Sequence, residues 1–350
     1  MNKILNFLRT ESLDLENMDW YNFMGFCDFH RLSGYLAGKL EKYNLPPQVK
    51  RHFGIQKEYQ AYRQEHLFRA AKEIESALVR ENIAHAFLKG TALSGTLYER
   101  GERGSNDIDI LISSQDVGRA GKLLEALGFA QGLYRNGKLE RFSRKEILSR
   151  RMNRGETAPY LKLTGDKLLP FIEIDLNFSL DWLPSSDIGA VDRFLRNTTL
   201  LENGLTGLTP SYCFMFLCMH LYKEATVLSM VQRSKDIELY KYLDIYKLFP
   251  QIDVPGFRAL AEELGIEKEC NYALYHTKRL FPEIGIGTEV PQELETVIDP
   301  ENNNKRYFWT VEFLDRVEDT DRLRFLLEDC QPADGWKKRL FQRIAEVKYD

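Results

Sequence analysis

Two aspartates separated by one residue are the side chains best suited to chemistry in this sequence. Asp107 and Asp109 open the segment 107–112 (DIDILI), whose alternation of charged and apolar residues predicts a β-strand. Because strand side chains point alternately to the two faces of a sheet, both carboxylates lie on one face. Two like charges this close are costly to bury, and a divalent cation between them removes that cost. Oxygen ligands favour Mg²⁺ or Mn²⁺, whereas the alternative is an exposed strand edge with two solvated acids.

A glycine turn precedes this strand. Gly90 and Thr91 follow the apolar run 83–88, which predicts a first strand, and precede 92–98, which predicts a short helix. Thr91 is the expected N-cap, and Gly90 allows a tight turn. A helix start of this kind presents free N–H groups and a positive dipole end, which favour phosphate. A phosphate cradle beside a metal clamp predicts metal-assisted transfer from a nucleoside triphosphate.

A third candidate acid lies on a later strand. Residues 160–163 and 168–178 flank a turn and predict an antiparallel hairpin. The second arm alternates, so its isoleucines and leucine face inward while Glu173, Asp175 and Asn177 share the opposite face. Taken alone, Asp175 could equally be an exposed strand acid.

These motifs resemble the signature of the uncharacterised nucleotidyltransferase family within the DNA polymerase β-like superfamily. The residues that carry the resemblance are 88–93 (LKGTAL), Leu97-Tyr98 and Arg103 followed by 107–111 (DIDIL). Three departures stand out. Thr91 replaces the usual Ser or Gly of the superfamily, and Asn177-Phe178 replaces a His-Trp pair. The gap from Gly90 to Asp107 is a little long for the superfamily, although it suits this branch.

The resemblance implies both a fold and an activity. The implied fold is α+β, with a small mixed or antiparallel sheet as nucleotidyltransferase core, flanked by N-terminal helices and a C-terminal helical domain. The implied reaction moves a nucleoside monophosphate from a triphosphate, with ATP the expected donor, to a hydroxyl or phosphate acceptor, releasing pyrophosphate. Mg²⁺ or Mn²⁺ is the expected cofactor, and an unidentified small molecule the expected acceptor. The implied catalytic and metal-binding residues are Asp107, Asp109 and Asp175, and the implied nucleotide-binding residues are Lys89, Gly90, Thr91, Arg103, His220 and Lys223.

The last two of these residues lie on a predicted helix outside the core motifs. His220 and Lys223 are one turn apart, and together with Asp244 they match helical features of the resembling family. A lone histidine on a largely apolar helix can equally be a hydrogen-bonded core group. A competing hypothesis for the whole chain is a non-catalytic nucleotide-binding or regulatory protein, for example of the toxin–antitoxin type. The presence of all three acids favours an enzyme.

The remaining pattern predicts three parts. These are an N-terminal helical segment 1–82, a catalytic domain 83–207 ending in an irregular linker from 179, and a C-terminal helical domain 208–350. A long amphipathic helix is expected over 49–80, and helices are expected over 211–226, 231–249, 254–264 and 270–280, and with breaks over 307–347.

Composition limits the partners and the compartment. The net charge of -4 argues against a general nucleic-acid binder, although the basic stretch 141–154 could attract a triphosphate or an anionic acceptor instead of being a solvated face. No apolar run is long enough for a membrane helix, and the N-terminus lacks a signal-peptide pattern. Five scattered cysteines favour reduced thiols in the cytoplasm and predict no zinc site.

Overall fold

The computed structural model describes residues 3–10, 12–184, 188–291, 296–300, 304–309, 312–318 and 344–346. The chain divides into two compact units. Residues 56–216 form one, here called the sheet unit, and residues 1–55 with 217–350 form the other, here called the helical unit. The predicted division at residues 82 and 207 stays a prediction.

Helices make up much of both units. In the described residues they are α1 (Lys3–Thr10), α2 (Trp20–Phe29), α3 (Ser33–Leu40), α4 (Pro47–Arg80), α5 (Lys89–Leu93), α6 (Val117–Ala126), α7 (Arg144–Asn153), α8 (Ile188–Leu195), α9 (Pro210–Thr226), α10 (Leu228–Val231), α11 (Leu239–Leu248), α12 (Val254–Leu264), α13 (Glu267–Leu280) and α14 (Phe313–Glu318). None of these helices is both long and apolar enough to cross a membrane.

The sheet unit is built on one mixed sheet. Its strands are β1 (His85–Phe87), β2 (Ile108–Ile112), β3 (Ala130–Arg135), β4 (Lys138–Arg141), β5 (Tyr160–Leu163), β6 (Phe171–Asn177), β7 (Thr198–Leu200) and β8 (Thr206–Leu208). Their order is β4-β3-β5-β6-β2-β1-β8-β7. The pairs β2–β6 and β1–β8 are parallel, and the other neighbours are antiparallel. This architecture confirms the predicted α+β class and the mixed sheet.

One face of the central strands forms the core. The predicted inward-facing residues of β2 and β6 are buried together with apolar residues of α4, whose 34 residues supply a long amphipathic face. Each fully buried Ile or Leu contributes about 1.5–3 kcal/mol relative to exposure. The burial of this face fixes which face carries the intervening acids, because strand side chains alternate. The buried members on these three elements are Leu67, Ala70, Ala71, Ile74 and Leu78 of α4, Ile108, Ile110 and Ile112 of β2, and Ile172, Ile174 and Leu176 of β6.

Two connections of the sheet unit use residue types that suit a left-handed backbone. Asn136 and Gly137 connect β3 to β4 with φ of 49° and 77°, the left-handed values that a tight hairpin needs. Gly128 follows α6 with φ of 89°, as expected for a glycine just beyond a helix C-terminus.

The irregular linker predicted over 179–207 is wrong. Its described residues contain α8 and β7 and most of β8, and β8 joins the sheet by pairing Gly207 with Phe87 of β1. Both strands are three residues long, too short for a period-two pattern to be visible. A Cβ at Gly207 would lie 2.5 Å from the Leu201 side chain, so the glycine permits close strand packing.

The helical unit adds a second, three-stranded antiparallel sheet. Its strands are β9 (Thr296–Asp299), β10 (Lys305–Trp309) and β11 (Ile344–Glu346), in the order β11-β10-β9. The helix predicted from residue 307 is therefore wrong at 307–309, where strand pairing prevails. Most of the rest of that prediction lies outside the described residues. Among the cysteines that the structure describes, Cys27, Cys218 and Cys270 are buried.

Candidate active site

The register between β2 and β6 brings two of the predicted acids together. In this parallel pair Asp109 is directly opposite Asp175. Neighbouring strands lie about 4.8 Å apart, so side chains at one level on the same face are adjacent. Asp107 precedes β2 by one residue and contributes its negative charge to the surroundings of Asp175. The structure thus collects all three predicted carboxylates on one face of the sheet.

Two more acids belong to this cluster. Glu173 lies two residues before Asp175 and shares its face, and Glu156 forms an isolated antiparallel bridge with Asn177. Glu173 was placed on this face by its alternation, without a role. Glu156 was missed, because the irregular segment that carries it has no periodicity to reveal its position.

The electrostatics of the cluster reflect excess negative charge. Burial, and then the neighbouring carboxylates of Asp107, Asp109 and Glu156, raise the pKa of Glu173 to about 7. Burial and then the same three carboxylates raise the pKa of Asp175 well above its usual value. Both groups are only partly shielded from water, which moderates the effect. Protonation or a bound cation would relieve this repulsion.

Lys89 supplies positive charge next to the cluster. Its Nζ donates to Asp109 Oδ1 at 2.8 Å, and Asn177 Nδ2 donates to the same oxygen at 3.3 Å. Asp109 is only 4% exposed, so this ion pair is shielded from solvent. Lys89 itself has φ of 49°, a left-handed conformation that costs a non-glycine residue about 1 kcal/mol. The predicted phosphate-binding lysine therefore contacts a predicted metal ligand.

Gly90 and Thr91 lie inside α5, not at its start. The N-cap residue is Leu88, whose side chain makes no capping bond, so the prediction of Thr91 as N-cap is wrong. The helix begins at Lys89, whose backbone is left-handed, three residues before the predicted start at Ala92, and it ends at Leu93 instead of Tyr98. The Thr91 hydroxyl is buried and, within the described residues, has no hydrogen-bond partner. The amides of Gly90 and Thr91 still precede the first intrahelical hydrogen bond, as at any helix start.

Gly90 is required by close packing and not by a tight turn. A Cβ at this position would lie 2.7 Å from both Cβ and Oγ of Ser105. Ser105 Oγ in turn donates to the Asp107 carbonyl oxygen at 2.8 Å and lies 3.4 Å from Asp107 Oδ1. Ser105 was missed in the sequence, although it links the α5 glycine to the first acid. A serine two residues before an Asp-x-Asp strand was the available signal.

The other predicted nucleotide-binding residues occupy two different places. Arg103 is buried in the loop before β2 and donates to the Gly104 carbonyl oxygen. His220 and Lys223 lie on the part of α9 that belongs to the helical unit. There His220 Nε2 is 3.4 Å from Glu224 Oε2, so the histidine joins an ionic cluster of that unit. The nucleotide-binding roles predicted for Arg103, His220 and Lys223 stay predictions.

The donor set fits a hard divalent cation in its chemistry. Its ligands are carboxylate oxygens, and the mutual repulsion that raises the pKa of Asp175 is the condition a cation relieves. Within the described ranges, however, no three His, Cys, Asp or Glu side chains already stand in a metal-binding arrangement. A cation at Asp109 would have to share its carboxylate with Lys89 or displace the ammonium group.

The family assignment follows from a match along most of the chain. The sequence model of the uncharacterised nucleotidyltransferase family matches residues 16–282. The chain belongs to this family. The membership predicted from the Lys-Gly-Thr and Asp-Ile-Asp motifs is confirmed, and the family name supports a transferase. No curated protein and no solved structure matches the chain.

Proposed function

We propose that this member of the family is a metal-dependent nucleotidyltransferase. It transfers a nucleoside monophosphate from a nucleoside triphosphate, with ATP as first candidate, to a hydroxyl or phosphate acceptor and releases pyrophosphate. The observation that carries the proposal is the alignment of Asp109 with Asp175 across two parallel strands, with Asp107 on the same face. The family name supports the reaction class.

Asp107, Asp109 and Asp175 are the residues that would hold Mg²⁺ or Mn²⁺. A bound ion of this kind neutralises phosphate charge and lowers the pKa of an acceptor hydroxyl. Asp175 accepts the proton of that hydroxyl as general base. The acceptor oxygen then bonds to the α-phosphorus as the bond to the pyrophosphate oxygen breaks.

Lys89 and α5 serve the leaving group. Lys89 Nζ is held beside the acids by Asp109, and its release toward the triphosphate would neutralise charge that develops on pyrophosphate. The amides of Gly90 and Thr91, which precede the first hydrogen bond of α5, face phosphate oxygens in this scheme. Arg103 is buried and donates to the Gly104 carbonyl oxygen, so it would contact a phosphate only after a change in its loop.

The test compares Asp107→Asn and Asp175→Asn with Glu125→Gln, a change of the same kind at an exposed position of α6. Titration calorimetry with Mg²⁺ and ATP should show weaker binding for Asp107→Asn, because a metal ligand is lost. Asp175→Asn should bind the nucleotide but lose about 10²–10⁴ in turnover, the range for loss of a general base. If Asp107→Asn and wild type bind Mg²⁺ and ATP with equal affinity, Asp107 is not a metal ligand. Full turnover of Asp175→Asn would exclude Asp175 as base.

One observation favours the second candidate, a non-catalytic nucleotide-binding or toxin–antitoxin-type partner. The Lys89–Asp109 ion pair can satisfy a buried acid without a metal, as a purely structural pair does. Labelled triphosphates incubated with Mg²⁺ and a metabolite mixture distinguish the two. Pyrophosphate release supports the enzyme, whereas nucleotide binding without release, unchanged in Lys89→Met, supports the regulatory protein.

A further inference from the structure

An exposed basic segment projects from the edge of the sheet. Residues 135–154, here called the basic arm, comprise the β3–β4 turn, β4 and α7, and β4 is the edge strand. The basic arm contains eight Lys and Arg against two Glu, although the whole chain has a net charge of -4. Most of its cations are exposed, so the positive charge is concentrated in one exposed segment of the chain. These exposed cations are Arg135, Lys138, Arg141, Arg144, Lys145 and Arg151.

Helix α7 is held together locally and not by a core. None of its residues is buried. Its stability comes from a capping box, in which Ser143 accepts from the Glu146 amide and the Glu146 carboxylate accepts from the Ser143 amide. Most helices of this length depend on burying an apolar face. The chain maintains this helix without such burial, which indicates that its surface has a use.

The surface suits a charged partner better than an apolar one. Leu148 and Met152, 49% and 75% exposed, lie one turn apart and form a small apolar spot. Cations surround this spot, so α7 has no apolar stripe long enough for the centre of a protein–protein interface. Six of the eight cations of the basic arm are arginines, whose guanidinium groups match phosphate geometry.

The basic arm leads directly into the acid cluster within the sheet unit. Asn153 ends α7, and Glu156 follows three residues later, at most about 10 Å along the chain. Gly155 fixes this segment, since its carbonyl oxygen accepts from the amides of Phe178 and Ser179 at the end of β6, at 2.9 and 3.0 Å. Arg154 Nη1 lies 3.9 Å from Glu156 Oε1. The C-terminal end of the basic arm therefore lies close to the acid cluster that contains Asp175.

We propose that the basic arm binds the phosphodiester backbone of a single-stranded nucleic acid whose 3′ end is the acceptor. This inference rests on the proposed function, because it names the acceptor of that reaction. The 3′ oxygen bonds to the α-phosphorus of the triphosphate, the bond to pyrophosphate breaks, and Asp175 takes the proton. The acidic remainder of the chain restricts binding to the arm, which distinguishes it from a general nucleic-acid binder.

The test uses a triple variant, Arg141→Gln, Arg144→Gln and Lys145→Gln, on the full chain. These side chains are exposed, so the fold should be retained. The matched control is Lys50→Gln, Arg51→Gln and Arg80→Gln, which removes three exposed cations from α4. Binding of a fluorescein-labelled single-stranded RNA is followed by anisotropy over a salt series. Loss of three phosphate contacts should weaken binding roughly tenfold or more and reduce the salt slope by about 2, at 0.7 per phosphate on a single strand.

The outcomes separate this inference from the proposed function. Weaker binding by the arm variant, with the α4 control and Asp175→Asn unchanged, supports the inference. Absence of RNA binding by wild type at low salt, equal binding by the arm variant, or preferred binding of polyglutamate overturns it. If the RNA binds through the basic arm but no triphosphate extends it, the basic arm is a binding surface and the proposed transferase activity is wrong. If the protein transfers nucleotides only to small acceptors, and the arm variant does so equally well, the transferase activity stands and the nucleic-acid acceptor is wrong.

Discussion

Two clusters of carboxylates, one in each unit, differ in how their negative charge is balanced. In the helical unit Lys241 contacts Glu224 and lies 3.1 Å from Glu238, and Arg316 pairs with Asp236. These carboxylates are matched by cations, and although burial lowers the pKa of Lys241, the charges of Glu224, Tyr240 and Glu238 raise it overall. In the sheet unit, burial and then the neighbouring carboxylates raise the pKa values of Glu173 and Asp175.

This difference separates a structural network from a site. A matched network needs nothing further, and removing one member leaves a charge without its partner. A cluster with excess negative charge is stabilised by a bound cation. In the absence of a cation, removing one carboxylate relieves repulsion among the others. Perturbed carboxylates gathered at one place are typical of functional sites. Four experiments use this contrast, from the largest expected effect to the smallest.

Lys241→Met should destabilise the protein strongly. Glu224 and Glu238 would remain buried without their shared cation, which costs about 3–5 kcal/mol when one partner of a buried pair is removed. The free energy of unfolding from urea titration measures the effect. Lys122→Met, at an exposed position of α6, serves as control and should change stability by less than about 0.5 kcal/mol. An equally small change for Lys241→Met would show that the helical-unit network is not needed for stability.

His276 should make the helical unit sensitive to acid. Its ring is fully buried, and burial followed by the charges of Arg279 and Arg316 lowers its pKa to about 3. The unfolded chain binds the proton near pH 6.5, so stability is lost as pH falls from about 6.5 toward 3. Between pH 6.5 and 4.5 the loss should be about 2–3 kcal/mol, and His276→Leu should remove it. A pH profile of unfolding that is the same in both proteins would contradict the buried neutral histidine.

Gly90→Ala should reduce activity more than it reduces stability. The added Cβ would press on Ser105, which hydrogen-bonds the Asp107 segment, and overpacking of this kind costs about 1–3 kcal/mol. A displacement of Asp107 by a fraction of an ångström to 1 Å should lower kcat about 10²-fold. The control is Gly118→Ala in α6, where a Cβ meets nothing within 4 Å. That variant should be fully active and up to about 1 kcal/mol more stable.

Glu173→Gln should remove a pH dependence of opposite sign in the sheet unit. The pKa of Glu173 is raised to about 7, above its unfolded value of 4.5, so its contribution to stability is present at low pH and lost as pH rises toward 7. After screening by solvent, about 1 kcal/mol should be lost between pH 5 and pH 7.5 in the presence of EDTA. Added Mg²⁺ should restore part of it at pH 7.5. If Glu173→Gln and Glu125→Gln show the same dependence of stability on pH in EDTA, the pKa of Glu173 is not raised in the folded protein.

The sequence predicted which face of a strand each side chain occupies better than it predicted which strands pair. Alternation in 107–112 and 171–178 placed the acids correctly, because burial of the isoleucines decides the face. The register that sets Asp109 opposite Asp175 was not readable, since pairing depends on the crossover and packing between the strands. The resemblance supplied the expectation that these acids converge.

The failures have local physical causes. Thr91 was predicted as an N-cap because residue types suggested it, but the left-handed backbone at Lys89 moved the helix start. Glu156 lies in an irregular segment without period, and β7 and β8 are too short to produce one. The Lys89–Asp109 pair depends on the three-dimensional approach of α5 to β2, which spacing along the chain does not define.

The pairing of β2 with β6 also determines how the protein can vary. The basic arm lies entirely within the connection between these two strands, so one continuous stretch from 107 to 175 carries both the acids and the surface proposed for the acceptor. The basic arm lies at the sheet edge and includes edge strand β4, and segments in such positions accept changes in length and sequence more readily than central strands. Under the proposed function, exchanging residues 135–154 between relatives would therefore change the acceptor while β5, β6 and the acids stay in place, a route to new specificity by a single recombination.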